Sequence, residues 1–202
     1  MLDTFFVKVL KQPLHLIALV VDKCGVKANW ITVIGFVIGM LALPALYFGN
    51  ASLALVFVLI NRAMDGLDGA VARITAPSDF GGYLDITLDF IFYSAVVFGF
   101  ALMDPDANAL AASFLIFSFM GTGSSFLAFA IMAEKRRIER LDYGKKSLYF
   151  LGGLTEGAET IAFLVLICLY PLHFSIFAYI FGLMCWVTTV TRLYAGYRTL
   201  TI

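Results

Sequence analysis

Asp65, Asp68, Asp85 and Asp89 are the residues of this 202-residue chain best placed to do chemistry. They stand in two runs, Asp65-Gly66-Leu67-Asp68-Gly69-Ala70-Val71-Ala72-Arg73 and Phe80-Gly81-Gly82-Tyr83-Leu84-Asp85-Ile86-Thr87-Leu88-Asp89. Spacings of i, i+3 and i, i+4 put each pair on one face of a helix. A short turn through Pro77, Gly81 and Gly82 is expected to bring the second helix back antiparallel, so that the pairs face each other. Four close carboxylates cannot all stay ionised without countercharge, so either protons or cations must fill the cluster. An all-oxygen ligand set selects hard divalent ions such as Mg²⁺, Mn²⁺ or Ca²⁺ over zinc. The only histidines, His15 and His173, fall outside it. Hard metals suit phosphate chemistry, in which two ions offset the charge of a diphosphate. Gly69 and Ala72 leave room for a ligand beside Asp65 and Asp68, and Arg73 can grip a phosphate bidentately.

The elements that position these acids must lie in a membrane. Hydrophobic residues make up 61% of the chain and charged residues 14%, with 20 Phe. Typical soluble proteins run at roughly 45–50% and about 25%. Mean hydropathy is +0.93. That excludes disorder, a disulfide scaffold and an ordinary soluble enzyme. Fourteen basic residues balance fourteen acidic ones, so there is no basic excess to bind nucleic acid. Apolar runs predict six spans: about Trp30–Phe48, one from Ala51 that turns polar after Ile60, then about Leu84–Met103, Ala107–Ala133, Thr160–Tyr170 and Phe174–Tyr194. Leu14–Val21 is too short to span, so the N-terminal segment reads as an interfacial amphipathic helix and not as a cleavable signal peptide. The expected fold is therefore an all-α integral membrane protein. It forms one domain over residues 1–202, with an interfacial helix at 1–28 and a six-helix bundle at 29–202. With both termini in the cytoplasm, all 14 Lys and Arg fall on the inner side or at its edge. The outer connections carry none, as the positive-inside rule requires. Cys24, Cys168 and Cys185 form no metal or redox motif and read as reduced thiols.

The acidic runs resemble the signature of the CDP-alcohol phosphatidyltransferase family, DxxDGxxAR, a spacer, then GxxxDxxxD. Its eight positions appear as Asp65, Asp68, Gly69, Ala72, Arg73, Gly81, Asp85 and Asp89. The spacer Ile74–Phe80 is one residue shorter than usual. Ala28-Asn29-Trp30-Ile31-Thr32 is similar to the family's PNxxT, with Ala in place of Pro. The resemblance implies transfer of a phosphatidyl or phosphoalcohol group from a CDP-linked donor to an alcohol hydroxyl, with release of CMP. It implies that Asp65, Asp68, Asp85 and Asp89 hold two divalent cations, Mg²⁺ or Mn²⁺, and that Asp89 deprotonates the incoming hydroxyl. Asn29, Thr32, Gly69, Ala72, Arg73, Ser78 and Gly81 would contact the CDP moiety. The implied partners are a CDP-linked lipid or CDP-alcohol, a small alcohol or diacylglycerol acceptor, membrane lipids and a second copy in a homodimer. A multi-pass protein of a bacterial inner membrane is expected.

Two rival readings explain part of the pattern. A membrane cation transporter would use the intramembrane acids as an ion path, but it leaves Gly69, Ala72 and Arg73 without a purpose. A Mg²⁺-dependent membrane prenyltransferase would carry two separate Asp-rich motifs, and this chain has one. The acceptor stays open. Lys135, Arg136, Arg137 or Arg140 would suit a phosphorylated alcohol, although a basic loop is also what inner-side orientation demands. Glu156 and Glu159 would suit a cationic alcohol, or would simply complement a helix N-terminus.

Overall fold

The structure is a computed structural model that describes residues 2–136 and 153–201. All regular elements among them are helical: α1 (Leu2–Lys23), α2 (Ala28–Met40), α3 (Ala42–Tyr47), α4 (Ala51–Thr75), α5 (Asp79–Met103), α6 (Pro105–Lys135), α7 (Gly157–Leu169) and α8 (Phe174–Leu200), with a 3₁₀ turn at Pro171–His173. Local chemistry explains the boundaries. Pro44 has no N–H to give the carbonyl of Met40, and α2 ends at that residue before α3 continues the path. Asn50, Ser78 and Asp104 cap α4, α5 and α6 by accepting the backbone N–H of Leu53, Gly81 and Ala107.

Six spans are expected from the apolar runs. Among the described residues, four stretches are long and apolar enough to cross a membrane: Ala28–Tyr47, Asp79–Met103, Pro105–Lys135 and Pro171–Leu200. The other two expected spans correspond to α4 and α7. The former has 25 residues, but from its middle onward it carries Arg62, Asp65, Asp68 and Arg73. The latter is apolar but only 13 residues long.

The core is shared by helices α3 to α8 and is built from aromatic, aliphatic and small residues. Phe92, Val96, Val97 and Phe100 of α5 are fully buried against Leu115 of α6, Leu164 and Ile167 of α7 and Phe174 of α8. Phe100 stacks on Phe174 with centroids 4.7 Å apart, and Phe163 stacks on Phe181 at 4.4 Å. Small residues set the helix spacing, as is usual where helices pack in lipid. Gly123 of α6 sits under Phe90 and Gly121 under Thr189, so this glycine pair serves close packing. A smaller cluster joins Ala18 of α1 to Ile31 of α2 and to Ala70 and Val71 of α4. Helix α1 thus lies on the end of α4 that carries the acids, while Leu16, Ile17 and Val20 point outward.

One local expectation is corrected. The turn between the acidic helices is Ala76-Pro77-Ser78, and Gly81 and Gly82 lie within the first turns of α5. Gly81 is needed there for approach and not for bending: a Cβ would stand 3.0 Å from Asn29 Oδ1 and 3.0 Å from Ser78 Oγ.

Candidate active site

Helices α4 and α5 bring the four aspartates together. One carboxylate oxygen each from Asp65, Asp68 and Asp85 lies within 4.8 Å of the others. Asp68 is buried, and its Oδ2 is, among the described residues, the buried side-chain polar atom with no hydrogen-bond partner. A buried carboxylate oxygen left in that condition is costly unless a cation meets it. Convergent hard oxygens with an unmatched buried lone pair fit a divalent ion of the Mg²⁺ or Mn²⁺ kind.

Asp89 is held differently. Its Oδ1 accepts from Arg62 Nη2 at 2.6 Å, and its Oδ2 accepts from the Tyr93 hydroxyl at 2.9 Å. Arg62 also donates to Tyr93 Oη at 2.8 Å and stands 3.6 Å from Asp65 Oδ2. Sequence reasoning counted Arg62 among the basic residues of the inner side, but the fold places it in the acidic pocket. Arg62 and Tyr93 were both missed as site residues. Their spacings, three before Asp65 and four after Asp89, are the helical signal that could have found them.

The pocket around the acids is walled by Thr32, Gly35 and Phe36 of α2, by Asn61, Arg62, Asp65 and Asp68 of α4, and by Asp85, Leu88 and Asp89 of α5. Thr32 is thus beside the metal-type ligands. Asn29 Oδ1 and Ser78 Oγ both lie close to Gly81 at the start of α5, where the Ser78 hydroxyl also caps the helix. Gly69 lets the Arg73 guanidinium lie close, since a Cβ there would be 3.3 Å from Nη1. Ala72 is partly exposed, one turn beyond Asp68 on the same helix, and Arg73 is exposed. The expected CDP contacts therefore gather around one end of α2, α4 and α5.

A second cavity of about 290 Å³ adjoins this pocket, because Asp85 and Asp89 line both. Its other polar walls are Tyr93, Thr122, Thr155, Glu156, Thr160 and Arg192. Arg192 is buried and donates to the Thr122 carbonyl at 3.1 Å. Thr188 accepts from the backbone N–H of Leu154 and Thr155, both at 3.0 Å, and so fastens the start of α7 to α8. Glu156 and Glu159 form a reciprocal capping box at that start, and Glu156 Oε1 also accepts from Gly153 N–H at 3.1 Å. Of these two acids, Glu156 lines the cavity and Glu159 does not. Arg140 lies outside the described residues. Arg192, Thr122 and Thr160 had no motif to announce them.

Residues 26–192 match the family model described as CDP-alcohol phosphatidyltransferase. The chain is 54% identical over 200 residues to the inner membrane protein YnjF of Escherichia coli, covering 99% of this chain and 97% of that one. It is 30% identical to the archaetidylinositol phosphate synthase of Pyrococcus horikoshii over 191 residues, 94% of each chain. Its fold is similar to that of the phosphatidylinositol phosphate synthase of Mycobacterium tuberculosis crystallised with CDP-DAG bound. The TM-score is 0.65 and the identity 21%, covering 91% of this chain and 93% of that one. A second structure of the same synthase, in complex with manganese and citrate, gives a TM-score of 0.64 at 20% identity, covering 91% and 88%.

Proposed function

The chain belongs to the CDP-alcohol phosphatidyltransferase family, and from that premise we propose that it transfers a phosphatidyl or phosphoalcohol group from a CDP-linked donor to an alcohol, releasing CMP. The observation that carries this reading is the convergence of Asp65, Asp68 and Asp85, with the unpartnered Asp68 Oδ2 among them. Asp65, Asp68, Asp85 and Asp89 would together hold two divalent ions, Mg²⁺ or Mn²⁺. Bound there, such ions would polarise the phosphoryl group and offset charge on the departing CMP. Asn29, Thr32, Ser78 and Gly81 would take the cytidine end of the donor, and Gly69, Ala72 and Arg73 its phosphates.

Asp89 would accept the proton of the acceptor hydroxyl as its oxygen attacks phosphorus and the bond to CMP breaks. Its place in the wall shared by the two cavities supports that role. The acceptor would occupy the cavity of about 290 Å³, a size suited to a small polar molecule and not to a diacyl lipid. Glu156 and Glu159 cap the start of α7, and the cavity is lined by the acids Asp85, Asp89 and Glu156 and by the cation Arg192. We favour an acceptor alcohol that carries an anionic group, which would lie against the wall that Arg192 lines. The name of the archaeal relative, an archaetidylinositol phosphate synthase, supports this choice.

We place the protein in a bacterial inner membrane as YnjF is named, in six spans with both termini and the CDP site at the cytoplasmic face. In this arrangement α1 lies in the interface, residues 1–202 act as one domain, and the chain pairs as a homodimer. The outward Leu16, Ile17 and Val20 support the place of α1.

The test is CMP release by the purified protein. CDP-diacylglycerol and CDP-alcohols are crossed with phosphorylated and unphosphorylated acceptors, with and without Mn²⁺ or Mg²⁺. Metal-dependent CMP release that is lost in Asp89→Asn is expected. Persistence in chelator would overturn the mechanism, as would acid-dependent ion flux in proteoliposomes with no CMP from any donor.

A further inference from the structure

Arg62 stands inside the acidic pocket, and its guanidinium is fixed from every side. Nη2 donates to Asp89, Nη1 to the Tyr93 hydroxyl, and Nε to Asn61 Oδ1 at 2.8 Å. Asn61 is itself buried and tied to α2, its Nδ2 donating to the Gly35 carbonyl at 3.0 Å. The Phe92 and Tyr93 rings flank the guanidinium, each centroid 5.1 Å away. Only 9% of the Arg62 side chain is exposed. The fork is thus braced by α2 and presented to α5. Both oxygens of Asp89 are held as a result, one by Arg62 and the other by Tyr93.

Such a construction does two things. A carboxylate gripped at both oxygens has one orientation, and here it sits in the wall between the acidic pocket and the larger cavity. A guanidinium this near to the cluster also cancels part of its negative potential, because like charges a few ångströms apart in a partly buried site repel strongly. We propose that Arg62 and Tyr93 are positioning residues that aim Asp89 at the acceptor, and that Arg62 is a built-in cation that weakens divalent-ion binding by the four aspartates. The aiming of Asp89 rests on the reaction proposed above. The built-in cation does not depend on that reaction.

The experiment uses the full-length protein in detergent with two readouts: a titration with Mn²⁺ alone, followed by electron paramagnetic resonance, and steady-state CMP release. Arg62→Gln is expected to bind Mn²⁺ about tenfold more tightly, because the opposing charge is gone. Its kcat should fall about a hundredfold from the loss of alignment, with the donor KM unchanged. Arg62→Lys keeps the charge but not the fork, so its Mn²⁺ affinity should match the wild type while kcat recovers in part. Tyr93→Phe leaves every charge in place and tests aiming alone. Its Mn²⁺ affinity should be unchanged and its kcat about tenfold lower, the worth of one hydrogen bond. Weaker Mn²⁺ binding in Arg62→Gln would overturn the built-in cation. Full kcat in Tyr93→Phe would overturn the aiming of Asp89. A wild type that turns over no donor would sink both the reaction and the aiming, and the Mn²⁺ comparison would still judge the cation.

Discussion

Asp68 and Asp89 are chemically alike, and the fold treats them in opposite ways. Asp89 has a donor on each oxygen, whereas Asp68 keeps one buried oxygen unmatched. Removing the Asp68 charge should therefore relieve the apoprotein while disabling the site, the usual trade between stability and activity. For Asp68→Asn we expect thermal unfolding without metal to rise, by about 1 kcal/mol in stability. Mn²⁺ affinity and CMP release should drop by about a hundredfold or more. A differential scanning fluorimetry trace that moves down would contradict this account of Asp68. Arg192 belongs to the other cavity, so Arg192→Gln should raise the KM of an anionic acceptor about tenfold to a hundredfold, the range for a lost charge-assisted hydrogen bond. The donor KM should stay as it was; a change confined to the donor would reassign Arg192. Of these residues the aspartates were legible in the sequence because their spacing and motif are local. Arg192 was legible only as one of the basic residues expected at the inner end of the last span.

Between elements, the contact of α2 with α4 sets where Arg62 points. A Cβ on Gly39 would come within 2.8 Å of Asn61 Cβ, and one on Gly35 within 2.8 Å of Met64 Cβ. Gly39→Ala must push Asn61, and with it the brace behind Arg62. The expected result is a loss of about 1–3 kcal/mol of stability from overpacking, together with a lower kcat. A variant that loses stability but keeps full kcat would show that the brace does not reach Asp89. The turn between the acidic helices carries strain of its own. Ala76 has φ 130°, a region that favours glycine, and it precedes Pro77 in a reversal of only three residues. Ala76→Gly should therefore stabilise the protein by about 1 kcal/mol or more, read as a higher unfolding midpoint. The one-residue-shorter spacer was visible in the sequence. That Ala76 would carry the strain was not, because the sequence suggested Gly81 and Gly82 as the bend.

For the molecule as a whole, native cysteines offer a test of orientation. Cys24 is exposed just beyond α1, while Cys168 and Cys185 are buried. A membrane-impermeant maleimide should label the protein in inverted inner-membrane vesicles and not in right-side-out ones. Labelling only from the outer face would reverse the proposed topology. The charge balance of zero argues against a nucleic-acid partner and says nothing more. What matters is that four of the acids gather where α4 and α5 meet.

By itself the sequence determined the membrane class, the helical periodicity, the metal-type acids and the family signature. Each of these is written in composition or in spacings of a few residues along one helix. Only the tertiary structure decided that Arg62 belongs to Asp89, 27 residues away. It likewise decided that Asp85 and Asp89 face two cavities, and that Glu156 and Glu159 spend their carboxylates on a helix start. Those outcomes depend on how closely two helices approach and in what register. Glycines on α2 and aromatic rings on α5 set that through packing, and no single segment encodes it.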